Sequence, residues 1–378
     1  MRTIYRSGLV AVCAAFLATG ALADEGMWLF NNFPRQAVQK KYGFVVTDAF
    51  LHHLQLSAVR FNSGGTGSFV SPNGLLFTNH HVGADCIQKI SNPQHDYMKD
   101  GFYARTLAEE QRCPDLEVNV LLNIENVTPK VTTGISPQTP ASEANQMKKA
   151  AMSQIEKECN ASSGHRCDVV PLYSGGQYHL YQYRKYTDLR LVMAPEFGIA
   201  FFGGDPENFT FPRYNLDVTF FRAYENGKPV HVDNYFKWAR QGVKDGDLTF
   251  VPGNPGTTGR LMTITEMEFN RDIAYPLNVR RLNSLIATLE NYMAQGPEQK
   301  RQAGENLFGN QNSLKATSGF LSGLRDAALM DQKRADEKRL KAAIAADPAQ
   351  AEKFGKLWDE LATVHQNYRA FYPDYAIF

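Results

Sequence analysis

Near residue 266 the apolar pattern of this chain changes period, and that change sets how many kinds of domain the sequence can build. From Leu54 to about Leu261, short runs of β-branched and aromatic residues alternate or cluster between Gly, Asn and Pro. Ala58-Val59-Arg60-Phe61, Leu75-Leu76-Phe77-Thr78, Glu117-Val118-Asn119-Val120-Leu121 and Asp217-Val218-Thr219-Phe220-Phe221 are examples. Many short strands with tight turns point to a barrel or sandwich rather than a parallel sheet. One stretch, Glu143 to Cys159, interrupts them with Met147, Ala150, Ala151 and Ile155 at helical spacing. After about Glu266 the period lengthens. Leu285, Leu289, Tyr292 and Met293 recur as on a helix, and Phe354, Leu357, Leu361 and Val364 form a second stripe. The expectation is a mainly β domain over 24–266 and an α-helical one over 267–378.

The first residues set the compartment. Arg2 and Arg6 precede an apolar stretch from Gly8 to Leu17, and Ala21-Leu22-Ala23 supplies a small-x-small cleavage pattern. This reads as a signal peptide over 1–23, with a periplasmic or secreted product. No later segment approaches about 20 uninterrupted apolar residues, so no membrane span is expected. Cys13 leaves with the signal, which leaves Cys86, Cys113, Cys159 and Cys167. An even number in an oxidising compartment argues for two disulfides. Three pairings are open, of which Cys86 with Cys113 and Cys159 with Cys167 close the least entangled loops. A zinc site at Cys167 and His165 lacks the usual CxxC spacing, so no metal is expected.

Charge adds an exclusion. Lys and Arg total 40 against 39 Asp and Glu, and no basic run interleaves with aromatics, so nucleic acid is not the expected partner. Val251-Pro252-Gly253-Asn254-Pro255-Gly256-Thr257-Thr258-Gly259-Arg260 lacks the Gly-Lys-Ser/Thr ending of a phosphate loop and reads as a constrained turn.

Chemistry concentrates in two motifs. Ser63-Gly64-Gly65-Thr66-Gly67-Ser68-Phe69-Val70 leads through Asn73-Gly74 into Leu75-Leu76-Phe77-Thr78-Asn79-His80-His81. This reads as two strands around a tight turn, ending on a histidine pair. A rigid strand end suits a general base, which must stay within hydrogen-bond reach of a nucleophile. Adjacent histidines on one strand would face opposite sides, which argues against shared metal binding. The second motif is Phe202-Gly203-Gly204-Asp205-Pro206-Glu207-Asn208-Phe209-Thr210-Phe211-Pro212-Arg213, followed closely by Asp217.

Together these motifs resemble the bacterial serine dipeptidyl peptidases of the dipeptidyl-peptidase-seven and -eleven type, chymotrypsin-like exopeptidases that release N-terminal dipeptides. Asp24-Glu25-Gly26-Met27-Trp28 is similar to the start of their mature chains. The resemblance implies an incomplete chymotrypsin-like double β-barrel followed by the start of an α-helical cap domain. It implies His81 as triad base and Asp217 as its orienting acid. It implies Asn208, Phe209 and Asn312 around the substrate's free α-amino group, although Asn310 lies close to the last. The substrates would be peptides with a free N-terminus, the assembly a homodimer, and no cofactor is required. Two departures stand out. Val82 occupies a position where the family commonly has Cys, with Cys86 nearby to take over the bridge, and Phe209 stands where Trp is usual.

A chymotrypsin-type triad also needs a serine beside an oxyanion hole. No Gly-Asn-Ser-Gly-like segment occurs. The expectation is therefore the N-terminal part of such a peptidase, with base and acid present and nucleophile missing. The alternative expectation is an exported, non-catalytic peptide-binding protein with a peptidase-like fold.

Overall fold

The computed structural model describes residues 26–376, apart from Pro93, residues 256–258 and Arg260. The signal peptide read over 1–23, Asp24 and Glu25, and part of the Val251–Arg260 turn lie outside the described residues.

Among the described residues eleven strands form the framework: β1 (Ala58–Phe61), β2 (Thr66–Phe69), β3 (Leu75–Thr78), β4 (Phe102–Tyr103), β5 (Gln111–Arg112), β6 (Val118–Asn126), β7 (Arg166–Leu172), β8 (Gln177–Tyr186), β9 (Asp188–Ala194), β10 (Thr219–Glu225) and β11 (Lys228–Pro229). They pair antiparallel in the order β4-β9-β10-β3-β2-β1-β6-β8-β7, with β5 added to β9 and β11 to β10. The period of two seen in the sequence is realised. In β2 and β3 every second residue is buried, and in β10 Thr219, Phe221 and Ala223 face inward. Gly74 makes the turn between β2 and β3 at φ +66°, a left-handed conformation open to glycine.

The inward residues close one core. Val59, Phe61, Phe69, Leu76, Val118, Leu189, Leu191 and Phe221 are almost wholly buried, together with Cys86 and Ile87 of the helix His80–Ile90. Each fully buried side chain of this size contributes about 1.5–3 kcal/mol. Cys86 is bridged to Cys113 inside this core, and Cys159 to Cys167 at its flank, which is the less entangled pairing. Val82 packs against the same core one helical turn before Cys86, so both face the sheet. The helix read over Glu143–Cys159 spans Ala141–Ser163, and its Met152 and Ile155 cover Val127, Val169 and Tyr178 of the long β6–β7–β8 arm.

Residues 230–263 carry no helix or strand at their described positions. This segment lies along β2, with Phe236 N donating to Phe69 O and Asn254 N to Thr66 Oγ1. Helices then take over. Thr263 and Glu266 form a reciprocal capping box that starts Ile264–Phe269, which continues through one wider turn into Tyr275–Met293. Pro297–Arg325, Ala327–Ala346, Pro348–Phe354 and Leu357–Tyr375 follow.

The expectation of a mainly β chain is corrected: 52% of the structure is helical and 17% strand. The strands are only 2 to 10 residues long, whereas single helices reach 29. Helices also occupy the sheet half, leading into β1 at Asp48–Ser57 and filling connections at His80–Ile90 and Ala141–Ser163. The described strands join into one antiparallel sheet.

Candidate active site

The histidine pair does not sit on a strand. β3 ends at Thr78, Asn79 turns the chain, and His80 and His81 open the helix His80–Ile90. Successive helical residues point about 100° apart, and here one turns in and the other out. His80 is 1% exposed, whereas the His81 side chain is 56% exposed. Sheet register brings Asp217 to this place. Thr219 pairs with Thr78, so the residues just before β10 lie beside those just after β3.

The first N–H groups of a helix lack internal acceptors and favour a negative charge. Asp217 meets that need from the neighbouring strand. Its Oδ1 accepts from His81 N at 3.1 Å, and its Oδ2 from Asn79 Nδ2 at 3.1 Å. Oδ2 also lies 2.8 Å from His81 Nδ1. A carboxylate only accepts, so Nδ1 carries the proton of this contact, and in a neutral ring Nε2 is then the accepting nitrogen. These two residues are 136 positions apart in the chain. Burial is the largest influence on Asp217 and pulls its pKa upward. The hydrogen bonds and charge of His81 together outweigh it and hold the carboxyl below its ordinary value. At His80, burial dominates and lowers the imidazole pKa, against the charge of Asp217 and a backbone hydrogen bond to Pro195.

The second motif forms a tight loop around the short helix Gly204–Glu207. Asn208 follows in extended backbone, and its Nδ2 donates to Asn312 Oδ1 at 2.9 Å. The structure thus brings together two of the three residues assigned to the amine site. The rival Asn310 instead donates to Asn306 O one turn back on its own helix. Phe209 adopts φ +59° and is 67% exposed, standing clear of the interior rather than packing inward.

Two residues escaped assignment from sequence. Arg213 Nη1 donates to Asn208 Oδ1 at 3.1 Å, and Lys315 Nζ donates to the carbonyls of Asp205 and Pro206 at 2.6 and 2.8 Å. Arg213 closes the second motif and Lys315 lies three positions after Asn312, and a basic side chain so close to each asparagine was the available signal. No hydrogen bond joins this loop to the His81–Asp217 pair among the described residues. None of the hydrogen bonds to His81 there comes from a serine.

Residues 23–378 match the family model described as peptidase S46. Among curated proteins, the chain is 31% identical over 355 residues to dipeptidyl-peptidase 7 of Porphyromonas endodontalis, covering 89% of this chain and 43% of that one. It is 32% identical over 354 residues to the Asp/Glu-specific dipeptidyl-peptidase of the same organism, covering 88% and 49%. The chain spans about half the length of the curated relatives it matches. Among solved structures, Porphyromonas endodontalis DPP11 in complex with the dipeptide Arg-Asp superposes with a TM-score of 0.79 at 27% identity. That match covers 93% of this chain and 54% of the other.

Proposed function

Because the chain belongs to the peptidase S46 family, we propose that it carries the base and orienting acid of a serine-type dipeptidyl peptidase, which releases dipeptides from the free amino end of peptides. The observation that carries this reading is the 2.8 Å contact between His81 Nδ1 and Asp217 Oδ2, with the imidazole half exposed. In that arrangement Nε2 takes the hydroxyl proton of a serine as it attacks the scissile carbonyl. It later returns the proton to the leaving amine, while Asp217 holds the tautomer and stabilises the imidazolium.

Asn208 and Asn312 are read as acceptors for the α-amino group, and Phe209 as a wall beside it. An enzyme that removes two residues must hold the amino terminus at a fixed distance from its nucleophile. Carboxamide oxygens suit the three N–H donors of an ammonium. The named relatives are dipeptidyl peptidases, and one is seen with a dipeptide, which supports peptides as substrates. We read the sheet as part of a chymotrypsin-like double-barrel peptidase domain, capped by the helices that follow Thr263. The nucleophile and oxyanion hole are assigned to a segment other than residues 1–378. Export to an oxidising compartment is supported by the two disulfides.

The test compares two polypeptides on a fluorogenic dipeptidyl reporter: this chain alone, and a product extended by a serine-bearing second half. The chain alone should release nothing. In the extended product His81→Ala should lower kcat by about 10⁴-fold or more. Extended activity that survives His81→Ala would refute the base assignment. Release by the chain alone, abolished by the same substitution, would place the nucleophile among these residues.

A further inference from the structure

The two ends of an asparagine amide are nearly identical in shape, yet only the oxygen can accept from an ammonium. A half-turn of the amide would set N–H against N–H. At Asn208 the orientation is decided by Arg213. A guanidinium only donates and remains charged throughout the physiological range. Its Nη1 lies 3.1 Å from Asn208 Oδ1, so the oxygen must face it. Nδ2 is thereby turned towards Asn312, whose facing atom must be its oxygen, at 2.9 Å. Each oxygen uses one lone pair in this chain and keeps the other for a ligand N–H.

Arg213 is itself held firmly. Nη2 donates to Gly204 O at 3.1 Å and Phe202 O at 3.4 Å. The guanidinium lies over the Phe201 ring, 4.9 Å from its centroid. Phe201 in turn packs edge-on against Phe308, at 4.9 Å, on the same helix as Asn312. The guanidinium is kept there although its buried Nε finds no partner among the described residues, a desolvation cost that an apolar side chain of similar length would not incur.

We propose that Arg213 is a positioning residue, which orients the amides of Asn208 and Asn312 in series so that both oxygens are presented to a peptide's α-amino group. The proposal rests on the amine-binding reading of those asparagines. The charge of Arg213 also opposes a bound ammonium, by about fivefold at a ~4 Å separation in bulk water and more strongly where water is partly excluded, so relief of that repulsion in Arg213→Met works against the loss of the oriented acceptor.

The test measures, by calorimetric titration of the purified chain, the preference for Ala-Ala over N-acetyl-Ala-Ala, with thermal melts to confirm folding. Arg213→Met should reduce that preference roughly tenfold. Adding Asn208→Asp to Arg213→Met should restore it, because a carboxylate presents an acceptor whichever way it turns. No loss in Arg213→Met, or a loss that Asn208→Asp fails to repair, overturns the orienting role. An unchanged preference in Asn208→Leu, or none in the unsubstituted chain, overturns the amine site itself and this inference with it.

Discussion

His80 and His81 are neighbours in sequence with opposite settings, one enclosed and one half exposed. Enclosure keeps His80 neutral, because burial lowers its pKa. Its Nε2 has no hydrogen-bond partner among the described residues, and neither has the buried Thr219 Oγ1. The unfolded chain therefore binds a proton at His80 more readily than the folded one. The associated stability is complete above the ordinary imidazole value of about 6.5 and is lost as pH falls through the lowered folded value. The urea midpoint should drop between about pH 7 and pH 5, and His80→Phe should flatten that drop. A midpoint equally flat in both proteins would contradict the assignment. Asp217 acts in a lower window. Its depressed pKa contributes stability above the ordinary carboxylate value, lost only as pH falls through the folded value, below about pH 4. The residues of the pair were legible as a motif. Their geometry was not, because Leu-Leu-Phe-Thr-Asn-His-His reads as an unbroken strand. Nothing in that run announces that a carboxylate from another strand will cap a helix there.

The helix His80–Ile90 depends on one close approach. A Cβ at Gly83 would lie 2.8 Å from Phe221 Cζ and 3.2 Å from Thr219 Cγ2. Alanine is the better helix former by about 1 kcal/mol, but Phe221 is fully buried and has nowhere to move. Overpacking of this kind costs about 1–3 kcal/mol, so packing decides the sign. Gly83→Ala should lower the melting temperature and lift His81 away from Asp217. A variant as stable as the parent would show that the helix can slide freely on β10. The two disulfides differ in the same element-level way. Cys86–Cys113 closes 27 positions and Cys159–Cys167 only 8. Chain-entropy scaling gives about 3.5 kcal/mol for the first and about 2.5 for the second. Replacing Cys86 and Cys113 by serine should therefore destabilise more than replacing Cys159 and Cys167, and the reverse ranking in urea would refute that argument. The pairing itself was a choice among three in the sequence, and only the fold removes the other two.

For the whole molecule, the period of each half was legible, but the partner of each face was less so. The stripe at Leu357 and Val364 is helical as read, yet these residues remain 39% and 59% exposed. The face that does pack gathers Tyr368 and Tyr372 around Phe269, at centroid distances of 5.2 and 5.0 Å. Helical spacing identifies an apolar stripe, while burial depends on which neighbour arrives. The balance of helix over strand was missed for a related reason. Short strands crowd the sequence with signals, whereas long helices fill residues with few.

The link between Asn208 and Asn312 spans 104 positions. Ordering so long a loop is slow relative to local structure. A ribosome adding roughly 5–20 residues per second needs at least several seconds to supply the second asparagine after the first. An emerging chain can therefore set His81 beside Asp217 well before Asn208 meets Asn312. The half-made protein holds its first polar contact while the second still waits on the ribosome, an order written into the direction of synthesis.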